Sequence, residues 1–196
     1  MAELNLAALN EAIAEVVPER DAIVFRDRRI TYEQFNIRTR QLANVLISAG
    51  LGCHKERESL SDWQSGQDHV GLYLYNGNEY LEAMVASYKS RSVPFNVNFR
   101  YVDEELSYLL NNARTTALIY HASLAEKVSS IREQVPSLRL LIQVNDDPDV
   151  PLLEGALDYE VALAAASDAR PDVEWRSEDL YMIYTGGTTG MPKGVI

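Results

Sequence analysis

Hydrophobic positions recur along this chain in two rhythms, one helical and one extended, separated by polar breaks. Leu6, Leu9, Ile13, Val16 and Val17 fall at helical spacing and predict a helix that Pro18 ends. AIVFRDRRITY (22–32) then reads as a strand, a short polar turn and a second strand. Thr31 and Gln34 have the spacing of a capping box, T-x-x-Q, opening a helix through Phe35, Leu42, Val45 and Leu46 that Gly50 closes. From Cys53 to Asp68 the period vanishes and polar residues dominate, which predicts a surface loop longer than an ordinary connection.

Beyond that loop, strands and helices alternate. HVGLYLY (69–75) is apolar enough for a strand buried on both faces, and a helix over 78–90 follows Asn76-Gly77. VPFNVN (93–98) predicts a strand, Asp103 caps a helix to about Ala113, and TALIY (116–120) predicts another strand. Residues 122–134 read as a helix and LRLLIQV (138–144) as a strand. After the acidic linker NDDPDVP (145–151) come a short helix near 158–166, the linker SDARPDVEW and a final strand, DLYMIYT (179–185). This alternation predicts an α/β fold, a mainly parallel sheet with helices on both faces.

Composition narrows the partners. Apolar residues make up 46% and charged residues 24%, the balance of an ordinary globular chain. A formal net charge of −11 opposes nucleic acid and anionic lipid, and the one dense basic run, Arg26, Arg28 and Arg29, reads as a solvated turn, so no nucleic-acid partner is expected. Cys53 is the only cysteine, which excludes an internal disulfide and a cysteine metal cluster. His54, His69 and His121 lie on different predicted elements and suggest no metal site, and 145–151 lacks the glycine and closing glutamate of a calcium loop. Tyr73, Tyr75, Tyr80 and Tyr88 read as packing residues. No run reaches the roughly 18 apolar residues of a membrane span, and the acidic start lacks the basic region of a secretory signal, so the cytoplasm is the expected location.

The chemistry concentrates in YTGGTTGMPKGVI (184–196). Gly186, Gly187 and Gly190 permit backbone conformations in which successive N–H groups converge on an anion, Thr185, Thr188 and Thr189 add hydroxyls, and Lys193 adds a positive charge. A strand leading into such a loop would set these donors at the carboxyl edge of the sheet. The spacing fits neither G-x-x-x-x-G-K-[ST] nor G-x-G-x-x-G. Composition by itself leaves an ordinary surface loop open beside an anion grip.

The order of residues carries more. Thr185 to Gly194 resembles the phosphate-binding signature of the adenylate-forming enzymes, the superfamily of acyl-CoA synthetases, firefly-type luciferases and peptide-synthetase adenylation domains: Thr, Ser or Gly, Gly, Thr or Ser, Thr, Gly, any residue, Pro, Lys, Gly. Every position is met, with Gly186 where many relatives carry serine. The opening DAIVFRDRRITYEQFNIRTRQLANVLISAGL and the stretch from Val70 to Ala113 are similar to the family as well, and VNFRYVDEEL resembles most the fatty-acyl-CoA synthetase branch. Two departures stand out: an inserted surface loop over 52–68, and Ser90-Arg91-Ser92 where relatives commonly have Gly-Ala before the proline strand.

The resemblance implies an ATP-dependent ligase that converts a fatty or similar acid to acyl-adenylate and then to its coenzyme A thioester, with small-molecule substrates as its partners. Thr185, Gly186, Gly187, Thr188, Thr189, Gly190 and Lys193 would hold the phosphates of ATP, and Thr185 would also touch magnesium. It further implies that residues 1–196 form a partial amino-terminal adenylation domain ending in the phosphate-binding loop (184–196). The carboxy-terminal domain, the coenzyme A site and a complete catalytic set would lie on an absent part, leaving the chain inactive alone. A non-catalytic nucleotide-binding or scaffold fragment, and part of another adenylate-forming enzyme such as a peptide-synthetase adenylation domain, are the alternatives.

Overall fold

The computed structural model describes residues 5–185 and 192–195. Its centre is a five-stranded parallel sheet built from β3 (His69–Tyr73), β4 (Val93–Asn96), β5 (Thr115–His121), β6 (Leu140–Val144) and β7 (Leu157–Asp158), in the spatial order β4-β3-β5-β6-β7. The parallel registers run His69 opposite Val93 and Val70 opposite Ala117, and Leu118 opposite Leu141. Alternate residues of each strand point to opposite faces, so the continuous apolar runs feed two cores.

On one face Val70, Leu72, Ala117, Ile119 and Ile142 pack under α2 (Tyr32–Ser48), α3 (Asn78–Lys89) and α6 (Tyr159–Ala165). On the other, Tyr73, Phe95, Leu118 and Tyr120 pack under α4 (Asp103–Asn112) and α5 (Ala125–Ile131). Helices therefore cover both faces, as the alternation of strand and helix predicts. The centre leaves no spare volume: a Cβ on Gly71 would stand 2.8 Å from Leu118 Cδ1.

Ahead of the sheet lie α1 (Leu6–Val16) and an antiparallel hairpin of β1 (Asp21–Phe25) and β2 (Arg28–Thr31). Arg26 takes φ 54° at the hairpin's tip, and Ile23 and Ile30 pack on Phe35 of α2. Thr31 Oγ1 accepts the Gln34 N–H and Gln34 Oε1 accepts the Thr31 N–H, the reciprocal cap read from T-x-x-Q.

Several elements differ from the sequence expectation. The helix α1 forms, but Leu6, Leu9 and Val16 are exposed while Ala7, Asn10, Glu11 and Ala14 face inward, because a buried charge network holds that side. Asp103 is the first residue of α4 and not its cap; Val102 is the cap, with its N–H bonded to the Glu105 carboxylate, and Asp103 accepts from Ser130 Oγ. The predicted helix 122–134 is three pieces, α5 flanked by single 3-10 turns. The edge strand β7 has only two residues, too few to leave a periodic signal.

The strand expected over 179–185 shortens to β8 (Ile183–Thr185), which pairs antiparallel with β9 (Lys193–Val195) and does not enter the five-stranded sheet. One parallel bridge, Met182 to Phe95, joins it to β4. Upstream, Leu180 spends its N–H on the Gln67 side chain, so the backbone there is committed before a ladder can form.

Candidate functional site

The two described ends of the glycine- and threonine-rich segment are brought together by β8 and β9. Their register sets Ile183 opposite Val195, Tyr184 opposite Gly194 and Thr185 opposite Lys193. Thr185 and Lys193 are both exposed, Pro192 is buried, and Lys193 forms no ion pair among the described residues. Gly186, Gly187, Thr188, Thr189 and Gly190 lie outside the described residues.

Tyr184 anchors this hairpin. Its ring packs against Phe95 with centroids 5.8 Å apart, and its hydroxyl donates to Asn112 Oδ1 at 2.8 Å, at the end of α4. Burial pushes the Tyr184 hydroxyl up to about 12, so it stays a donor at neutral pH. The ring lies directly over Gly194, where a Cβ would stand 2.9 Å from Tyr184 Cζ. Tyr184 and Gly194 border a cleft of about 640 Å³ together with Trp63, His69, Thr116 and Met182.

A second cleft, of about 550 Å³, opens at the carboxyl ends of β3, β5 and β6, between Tyr75, His121 and Asp146. Crossovers leave β3 and β5 in opposite directions there, the usual place for a ligand in an open α/β sheet. Of the described candidate residues, neither Thr185 nor Lys193 lines it. His121 Nδ1 accepts the Tyr75 N–H at 3.0 Å, and burial lowers the ring's pKa, so the neutral ring carries its proton on Nε2. Tyr75, read as a packing residue, is partly exposed and stacks on His121 at 5.2 Å, whereas Tyr73 and Tyr88 are buried.

The three histidines stay apart. His54 pairs with Asp68 at 2.5 Å, His69 bonds the Ala113 carbonyl and Ser65 Oγ, and His121 caps Tyr75. Among the described residues no cluster of three or more His, Cys, Asp and Glu side chains is placed to hold a metal ion. Thr185 offers a single oxygen, which suits a magnesium ion that keeps most of its waters and arrives with phosphate.

Sequence reasoning passed over a polar junction behind the hairpin. Arg91, in the left-handed backbone region at φ 57°, binds the Asp179 carboxylate at 2.9 Å and Glu56 through two bonds of 2.8 and 2.9 Å. Gln67 joins the same junction, accepting the Leu180 N–H at 2.9 Å and donating to the Arg91 carbonyl at 2.8 Å. The 52–68 loop and Arg91, which the sequence reading marks as departures, thus meet in space. An arginine between two serines just before a buried strand was the one sequence signal.

The fold and this hairpin define the class: a parallel α/β domain bearing a glycine- and threonine-rich connection between two short antiparallel strands. The chain belongs to the AMP-binding enzyme family, whose pattern matches residues 10–196. It is 52% identical over 192 residues to a medium-chain acyl-CoA ligase, Mig, of Mycobacterium avium, covering 98% of this chain and 35% of that protein. A 3-oxocholest-4-en-26-oate–CoA ligase of Rhodococcus rhodochrous is 38% identical over 194 residues, covering 98% of this chain and 33% of that protein. Among solved structures, the inhibitor-bound N-terminal domain of FACL13 from Mycobacterium tuberculosis superposes with a TM-score of 0.78 at 27% identity, covering 97% of this chain and 43% of that one. The chain spans about a third of the length of the curated relatives it matches.

Proposed function

We propose that residues 1–196 are the amino-terminal portion of an ATP-dependent carboxylate–CoA ligase acting on a fatty or similar acid. The observation that carries this reading is the pairing of Thr185 with Lys193, which gathers the first hydroxyl and the lysine of the signature at one end of a hairpin. The names of the two relatives, one a medium-chain acyl-CoA ligase and one a sterol-acid ligase, support a hydrophobic carboxylic acid as substrate.

In the first half-reaction a carboxylate oxygen attacks the α-phosphorus of ATP, and pyrophosphate leaves with its bonding electron pair. In the second, the coenzyme A thiol attacks the acyl carbonyl and AMP departs. This chain's share is electrostatic. The Lys193 ammonium and the Thr185 hydroxyl, with the donors of 186–190, hold the β- and γ-phosphates and offset the charge that grows on the leaving pyrophosphate. A single preorganised donor of this kind is commonly worth about 3 kcal/mol of barrier. Magnesium, when bound with the nucleotide, would neutralise further phosphate charge, and Thr185 would be its ligand from this chain. The adenine pocket, the acyl tunnel and the coenzyme A site belong to a part that follows. The cytoplasm is the proposed location, and no helix among the described residues is long and apolar enough to cross a membrane.

The test is carboxylate-dependent exchange of pyrophosphate into ATP with a panel of fatty acids. It compares this chain, a protein extended through the missing part, and the extended protein carrying Lys193→Ala. The expected result is no exchange by the chain alone, exchange by the extended protein, and a loss of about a hundredfold or more in Lys193→Ala. Full activity in Lys193→Ala would remove the role assigned to the hairpin.

A further inference from the structure

Between the sheet and the hairpin the chain runs through Asp179 and Leu180, and both are held by side chains from elsewhere. Asp179 has only 2% of its side chain exposed, yet its carboxylate is bonded by four residues. Oδ1 accepts from Arg91 and from Gln67 Nε2 at 3.3 Å, and Oδ2 accepts from Asn5 Nδ2 at 3.1 Å and the Arg176 N–H at 3.0 Å. Arg91 Nε donates to Oδ1 at 3.0 Å and Nη2 of the same guanidinium lies 2.9 Å from that oxygen, so the Arg91 contact is two-pronged. A carboxylate so enclosed costs heavily unless it is fully bonded, which restricts it to one position.

Arg91 is itself fixed from the other side. Glu56 takes its two terminal nitrogens, and Glu56 sits in the 53–67 loop, whose base is closed by the Cys53–Gln67 bridge and by the His54 N–H bonded to the Gly66 carbonyl at 2.8 Å. Within the loop, the Arg57 guanidinium gathers the Ser61, Asp62 and Gln64 carbonyls, so a segment that is irregular apart from the 3-10 turn Arg57–Ser59 acquires an internal scaffold. Gly66 is required for that closure, since a Cβ there would stand 1.9 Å from the Lys55 carbonyl oxygen. Gln67, the last residue of the loop, then supplies the acceptor for the Leu180 N–H. Two residues later Met182 makes its bridge to β4, and Thr185 follows at the end of β8.

We propose that the 53–67 loop and Arg91 form a brace that positions the hairpin carrying Thr185 and Lys193, with Arg91 and Gln67 as positioning residues. Its consequence for polyphosphate binding rests on the ligase reading above; its mechanical part does not. Without the brace, β8 is tied to the sheet by one bridge and the Tyr184 contacts, too little to hold two exposed ligand groups at a set separation.

The experiment measures amide hydrogen exchange and pyrophosphate affinity on the chain itself, for wild type, Arg91→Ala, Arg91→Lys, Gln67→Ala, Lys193→Ala and the remote control Arg29→Gln. Exchange at Leu180 and Ile183 to Thr185 is expected to quicken about tenfold in Arg91→Ala and Gln67→Ala, with β3, β5 and β6 unchanged. Arg91→Lys, which keeps the charge but not the fork, should fall between and guards against a variant that fails to fold. Wild-type exchange at 180–185 in both alanine variants, or equal acceleration across the whole sheet, would overturn the brace. Lys193→Ala leaves the exchange unchanged and, where the ligase reading holds, weakens pyrophosphate; unaltered pyrophosphate affinity in that variant would count against the ligase reading and leave the exchange result to judge the brace.

Discussion

Glu11 Oε1 accepts a hydrogen bond from Lys89 Nζ at 2.5 Å in a closed space between α1 and α3. Neither group reaches solvent freely, since Lys89 is fully buried and Glu11 is 5% exposed. Arg40 holds the same carboxylate, Asn36 accepts from the lysine, and the Trp175 Nε1–H closes the site on the Lys89 carbonyl at 2.9 Å. This network, and not the Leu6–Leu9 stripe, decides which side of α1 faces the domain.

Acid should dissolve that tie. Burial alone would raise the Glu11 pKa, but bonds and charge from Arg40 and Lys89 outweigh it and hold it at about 2 against an ordinary 4.5. The folded value lies below the unfolded one, so this stability is complete above about pH 4.5 and is lost as pH falls towards 2, in total roughly 3 kcal/mol. Urea midpoints measured between pH 6 and 3 should fall steeply for wild type and less steeply for Glu11→Gln. The variant should also start several kcal/mol lower, because Arg40 keeps its charge without the carboxylate and Lys89, whose pKa burial already lowers to about 8, loses the partner that holds its proton. Parallel slopes for the two proteins would refute the assignment.

Gly71→Ala should destabilise the sheet. The added methyl meets Leu118 Cδ1 at 2.8 Å, Phe95 Cζ at 3.2 Å and Val97 Cγ2 at 3.3 Å, in a core with no room to yield. Overpacking of this kind costs about 1–3 kcal/mol, read as a lower urea midpoint at unchanged m-value.

Thr31→Ala removes the acceptor for the Gln34 N–H at the start of α2, and with it half of a reciprocal cap. A loss of about 1 kcal/mol is expected, and Thr31→Ser should recover most of it. Equal stability of the alanine and serine variants would show that the cap contributes nothing measurable.

Gly194→Ala should disturb the hairpin and spare the core. Its methyl would press on Tyr184 Cζ at 2.9 Å, and the ring can escape only by giving up its bond to Asn112. Faster amide exchange at Ile183 to Thr185 is expected at a nearly unchanged global unfolding midpoint. Tyr184→Phe, which loses only the hydroxyl, should show a smaller change in the same direction.

The parallel α/β architecture was legible in the residues because both signals behind it are local. Runs such as HVGLYLY and TALIY can satisfy their apolar faces only inside a sheet covered on both sides, and the T-x-x-Q cap needs no partner beyond its own turn. Membership of the AMP-binding enzyme family was legible for a similar reason, since the motif from Thr185 to Gly194 is made of contiguous residues in a set order. The inward face of α1, the detachment of β8 from the main sheet and the junction of Glu56, Gln67, Arg91 and Asp179 were not legible. Each depends on charged or amide groups far apart in the chain, from Glu11 to Lys89 or from Gln67 to Leu180, whose desolvation is offset only once the fold has brought the partners together. Hydrophobic periodicity records what a segment buries, and it carries no record of which distant side chain will bond its polar groups.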